Sequence, residues 1–196
     1  MALVTTSAVR SARRGSARVV AGTMLLLAAF AAVVTPRALG QSAVREDEAK
    51  AAFIYNFAKF VEWPDEALAS GGTFVVGVAG DDAFAAVVER VLRGKLVRDR
   101  PLAVRRVARA GDLDGCHVVF VGDGRPLAEV LHALDARPVL TVGGRDEFAP
   151  NGGMIGFLIQ NDKLRFEVNL DAAERANLRI SSQLLKLATR VIRREG

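Results

Sequence analysis

From Glu46 to Trp63 the apolar residues Phe53, Phe57, Phe60 and Val61 recur at i, i+4, i+7 and i+8, the spacing of one helical face, and Pro64 ends the run. Lys50, Asn56, Lys59 and Glu62 interrupt the apolar positions too often for a bilayer-spanning segment, so the pattern predicts an amphipathic helix. Residues 73–79 are then a nearly continuous apolar run closed by Gly80, and Asp81-Asp82 is suited to cap a helix reaching about Leu92. Residues 102–107, 117–121 and 138–142 predict further strands. The second of these ends in Gly122-Asp123-Gly124 before a helix over 126–134, and the third ends in Gly143-Gly144. Strand, glycine turn and helix in repeated order predict an α/β fold with a mostly parallel sheet flanked by helices.

The last quarter breaks that alternation. Residues 154–160 and 163–170 predict two strands joined by Asn161-Asp162, an antiparallel C-terminal hairpin. Asp171 and Glu174 have capping-box spacing for a short helix. Residues 182–194 predict a final helix with Leu184, Leu187, Ala188, Val191 and Ile192 on one face.

The N-terminus reads differently from everything after it. Arg10, Arg13, Arg14 and Arg18 precede an uncharged apolar run over 19–34, and Ala38-Leu39-Gly40 offers small residues before Gln41. A basic region, an apolar region of this length and a small-residue ending predict that residues 1–40 are a cleavable secretory signal peptide, with an uncleaved anchor as the alternative. Residues 41–196 then form a single domain, long enough to bury a real core. This division changes the charge argument. The +5 net charge comes from 27 basic and 22 acidic residues, and five of the basic ones lie within residues 1–40, so the remainder balances at 22 against 22. The basic pI therefore gives no ground for a nucleic-acid partner. Cys116 is the single cysteine and cannot close an internal disulfide; beside His117 and an apolar run it predicts a buried strand residue, or else an intermolecular handle.

Candidate chemistry is sparse. Cys116, His117 and His132 do not make a zinc-binding pattern, and no nucleophile elbow accompanies the two histidines, so neither a metal centre, a cofactor nor a catalytic residue is expected. The glycine turns matter more, because ligands of open α/β sheets bind beyond the carboxyl ends of the strands. Asp81, Asp82, Asp123, Arg125 and Arg145 would meet there as a candidate ligand crevice. Glu167 and Asn169 alternate with Phe166 and Val168, which puts the polar pair on one face of the hairpin, either simply solvated or used for recognition. Phe53, Tyr55, Phe57, Phe60 and Trp63 account for five of the chain's twelve aromatic residues. Core packing explains Phe53, Phe57 and Phe60, whereas Tyr55 and Trp63 are the positions to consider for partner contact.

Two stretches carry a resemblance. KAAFIYNFAKFVEWP (50–64) is similar to the N-terminal signature of the YfiR family, also called HmsC-like proteins. NGGMIGFLIQNDKLRFEVNLDAAERANLRISSQLLKLA (151–188) is similar to its C-terminal signature, and DGCHVVFVGD lies between them in the matching order. The resemblance implies a non-enzymatic periplasmic protein, often a homodimer, that binds the periplasmic portion of an inner-membrane diguanylate cyclase and represses it, with an OmpA-like outer-membrane lipoprotein as the sequestering partner. Tyr55, Trp63, Glu167, Asn169 and Arg175 are the candidate partner-binding residues. Other relatives serve histidine kinases or transporters, which keeps a periplasmic small-ligand sensor or binding protein as the alternative. Better-known members carry paired cysteines, and Cys116 alone departs from that pattern.

Overall fold

The computed structural model describes residues 37–69 and 72–193. Residues 1–36 of the predicted signal peptide, its apolar run included, and Arg194 of the predicted last helix lie outside the described residues, while the last four residues of that peptide, 37–40, are helical. Ala43–Gly196 forms one compact unit; of the unit Met1–Ser42, only helical residues from Arg37 onward are described. No helix among the described residues is long and apolar enough to cross a membrane.

Helix α1 (Arg37–Phe60) leads into the short strand β1 (Val61–Glu62) and helix α2 (Asp65–Ala69). There follow β2 (Phe74–Ala79), α3 (Asp82–Leu92), β3 (Leu96–Val97), β4 (Arg100–Val107), a 3-10 turn (Ala110–Leu113), β5 (Val118–Val121), α4 (Leu127–Leu134) and β6 (Leu140–Gly143). The chain closes with β7 (Ile155–Gln160), β8 (Lys163–Asn169), α5 (Leu170–Arg175), β9 (Arg179–Ile180), α6 (Ser182–Leu187) and β10 (Arg190–Ile192). The main sheet has the order β10-β8-β7-β6-β5-β2-β4-β3. Strands β4, β2, β5, β6 and β7 run parallel, and β7 and β8 form the antiparallel hairpin. The mostly parallel α/β sheet and the C-terminal hairpin are as the sequence predicts. From β2 the chain steps out to β4 and then returns past β2 to β5, so the winding direction switches between β2 and β5.

One layer of the core lies beneath α1 and α3, and a second beneath α4. In α1 the fully buried residues are Ala51, Ile54, Phe57 and Ala58, one stripe over from the one that the aromatics mark. Phe53 and Phe60 flank that stripe and are half-buried. Small Ala51 and Ala58 let the helix sit close to the sheet, where Phe57 meets Phe166 edge-on with ring centres 5.0 Å apart and Phe157 at 5.7 Å.

Three expectations are corrected and one element is new. Helix α1 stops at Phe60, before Pro64, because Val61 and Glu62 pair with Ile180 and Arg179 and the Phe60 carbonyl accepts the Ser181 N–H at 3.0 Å. Helix α5 is capped by Asn169, whose side chain accepts the Ala172 N–H at 2.9 Å; Asp171 already lies within its first turn. The final helix ends at Leu187, and Arg190–Ile192 adds to β8 as a parallel strand, with Thr189 N–H bonded to the Phe166 carbonyl at 2.8 Å. The outer backbone groups of β8 need partners, and β-branched Val191 and Ile192 suit a strand. A hairpin that the sequence does not announce, β3–β4, turns at Arg98-Asp99.

Candidate functional site

The three glycine turns do converge at the carboxyl ends of the parallel strands. Gly80 adopts φ +75°, and a Cβ there would lie 2.7 Å from the Arg125 nitrogen; one on Gly124 would lie 2.6 Å from the Gly80 carbonyl oxygen. The turns after β2 and β5 therefore touch backbone to backbone, which only glycine permits. Arg145, in the turn after β6, locks them further by donating from Nη2 to the carbonyls of Gly122 at 2.8 Å and Arg125 at 2.7 Å. The crevice at the switch point is thus filled by the protein's own loops.

What remains open is a hollow of about 250 Å³ beside it, over the ends of β2 and β4, lined by Gly80, Asp81, Asp82, Arg106, Gly124 and Arg125 among others. Its charges are largely engaged. Asp81 accepts the Phe84 N–H at 2.9 Å as the cap of α3, and Arg125 donates to the Ala108 carbonyl at 2.6 Å and lies 3.8 Å from Glu129. Arg106 sits 3.7 Å from Asp82 at the surface. Asp123 points into solvent, 4.0 Å from Arg145 Nε. Of the five predicted crevice residues the structure gathers Asp81, Asp82 and Arg125 around the hollow and leaves Asp123 and Arg145 as a separate pair. Arg106 was missed, and its signal was its place one residue before the end of a strand adjacent to β2. The first half of α1 was missed as well: burial, helped by the charge of Asp81, pushes the Asp47 carboxyl above its usual range, while Lys50 beside it opposes the shift.

The predicted partner-contact residues behave differently from one another. Trp63 is buried, donates from Nε1 to the His117 carbonyl at 3.3 Å and packs edge-on against Phe74. Glu167 is buried and paired with Arg190, with Nε 2.9 Å away. Asn169 is buried between the α5 cap and the Ala149 carbonyl, to which it donates at 2.7 Å. These three are therefore not surface groups. Sequence alternation leaves the Glu167 face solvated, but the segment around Ala149 folds over it. Tyr55 is half-buried, donating its hydroxyl to the Leu96 carbonyl at 3.2 Å, with Lys59 and Lys95 5.4 Å and 5.1 Å from its ring centre. Arg175 is exposed on the rim of a hollow of about 300 Å³ that also includes Asn151, Asp171 and Ile192.

Two groups of candidate chemistry turn out to be structural. Burial lowers the basicity of His117, with the Arg100 charge adding to the effect; its Nδ1 accepts the Val75 N–H at 3.0 Å and its ring stacks on Phe74 with centres 4.6 Å apart. Burial also pushes the Cys116 thiol up, and Sγ lies 3.5 Å from the Asp112 carbonyl oxygen, so this cysteine is buried just ahead of β5. Among the described residues no group of three or more histidine, cysteine or carboxylate side chains is placed to hold a metal ion.

The two signature stretches meet in space. Phe53 and Phe57 of the first pack on Phe157 and Phe166 of the second, and β1 pairs with β9. Among solved structures, a similar chain is the ABC domain from Streptococcus pneumoniae, described in complex with L-Trp. It is 12% identical, with a TM-score of 0.42, and the match covers 63% of this chain and 56% of that one. A family model described as YfiR/HmsC-like matches residues 47–189, a span that contains the whole sheet up to α6 and both packed signatures, and the chain belongs to that family.

Proposed function

We propose that this protein is a non-enzymatic periplasmic regulator that binds the periplasmic portion of an inner-membrane diguanylate cyclase and represses it, thereby controlling cyclic di-GMP signalling and biofilm formation. The family match over residues 47–189 carries this reading. In it, residues 1–40 act as a signal peptide removed on export, residues 41–196 are the working domain, and an OmpA-like outer-membrane lipoprotein relieves repression by sequestering that domain. Repression is a population shift: the regulator binds the inactive state of the cyclase more tightly than the active state, and the ratio of the two affinities sets the size of the effect. Exposed Arg175 and half-buried Tyr55 are the candidate contacts that the fold leaves within a partner's reach.

Deleting the gene raises cellular cyclic di-GMP while the cyclase is intact and leaves it unchanged in a strain that lacks the cyclase. Unchanged levels with an intact cyclase sink the reading. In a complemented strain, Arg175→Ala relieves repression with no loss of thermal stability.

A further inference from the structure

Strand β4 is an edge along most of its length. Strand β3 pairs only with Arg100 and Pro101, and the Leu102 N–H reaches back to the Lys95 carbonyl at 3.2 Å. From Ala103 to Val107 no described strand lies on the outer side. In a ladder, alternate residues direct their backbone groups to the same side, so Val104 and Arg106 present N–H and C=O outward as Leu102 does.

This edge is also where positive charge collects. Residues 93–109 hold seven basic residues and one acid, whereas residues 41–196 as a whole balance at 22 against 22. Asp82 faces Arg106 at 3.7 Å and Asp112 faces Arg109 at 3.4 Å, while Asp112 is also engaged by the Ala108 and Arg109 N–H groups. The hairpin tip adds a third observation. A two-residue turn of this kind needs positive φ at both positions and favours Asn-Gly, yet here Arg98 sits at φ 50° and Asp99 at 62°. The β7–β8 hairpin meets the same demand with Asn161 and Asp162, residues that tolerate it better than arginine. Arg98 is thus held at the tip of the edge against its backbone preference, with Nη2 donating to the Val61 carbonyl at 3.5 Å, which ties the tip to β1 and fixes where its charge sits.

We propose that the outer edge of β4 is a docking site for an extended acidic segment of a protein partner, which adds to the sheet as a strand beside Val104 and Arg106. The open ladder supplies the backbone bonds and the flanking arginines select the charge. A second copy of this chain is the wrong occupant, since pairing the edge with itself would set arginine against arginine. The site does not depend on which enzyme, if any, the protein regulates, so its failure and that of the cyclase reading are separable.

The test uses the full chain and a peptide of alternating glutamate and valine, with a lysine–valine peptide as control. The acidic peptide binds, its affinity falls about tenfold between roughly 50 and 300 mM salt, and amide exchange slows at Val104 and Arg106. Val104→Pro removes an outward N–H that an edge strand can spare and abolishes binding without unfolding the protein; Arg106→Glu weakens binding with the ladder intact. Replacing the turn by Arg98→Asn with Asp99→Gly raises the melting temperature by about 2–4 °C yet weakens peptide binding. The proposal is overturned by equal binding of the lysine peptide, by amide protection elsewhere, by undiminished binding in Val104→Pro, or by binding to phosphatidylglycerol vesicles alone, which would make the charge a lipid-facing feature.

Discussion

The parallel strands finish in opposite ways at their two ends. At the amino ends Trp63, Phe74 and His117 stack into an apolar plug in which the imidazole is held neutral and every contact is side chain on side chain or on backbone. At the carboxyl ends charged residues crowd together, and glycines let one turn lie directly on the next under the guanidinium of Arg145. In open α/β sheets the carboxyl end is where small ligands bind. Here the loops close the switch point itself and leave open beside it the hollow over the ends of β2 and β4, so part of this end is sealed by backbone contact just as the other is sealed by stacked rings.

Three substitutions probe this contrast. Trp63→Ala empties the plug and breaks the bond to His117; a cost of about 3–5 kcal/mol in chemical denaturation is expected. A cost below about 1 kcal/mol together with lost repression would move Trp63 back to a partner surface. Gly124→Ala forces apart the turns at the opposite end and should cost about 1–3 kcal/mol; a neutral result would mean that the loops part readily and that the crevice can open. The third effect is a pH dependence. Because His117 in the folded protein is a weaker base than in the unfolded chain, the unfolded state takes up the proton first as pH falls. Its contribution to stability is therefore complete above the ordinary imidazole range near pH 6.5, declines as pH drops below it, and levels off below the lowered folded value. Melting temperatures of the parent and His117→Gln measured across that window should differ in slope; parallel curves would show that the plug is indifferent to proton uptake.

Local pattern reveals the central strands because each ends in its own glycine turn. It fails wherever a distant segment decides. Leu184, Leu187, Ala188, Val191 and Ile192 fit a helix, yet the unfilled edge of β8 claims Val191 and Ile192 and leaves Leu187 65% exposed. The aromatic stripe of α1 is conspicuous, but the helix turns its small residues inward because close approach to the sheet favours Ala51 and Ala58. Burial of Trp63, Glu167 and Asn169 depends on His117, Arg190 and Ala149, which lie far from them in sequence or belong to segments with no periodic signal. The β3–β4 turn is hard to read because Arg-Asp puts an arginine at the first position and lacks the glycine that marks such turns. Of the candidate sites, the convergence of the turns was legible, whereas their mutual closure was not: it rests on contacts between backbones, which no side-chain pattern records.

The packing of α1 against the hairpin also sets a timetable. A chain made from its N-terminus exposes Phe53 and Phe57 first, but Phe157 and Phe166, on which they rest, come about a hundred residues later. At translation rates of ~5–20 residues per second that is an interval of roughly 5–20 s. Until it has passed, Phe53 and Phe57 lack the rings on which they come to rest, and the first helix waits for the last hairpin before its aromatic face is covered.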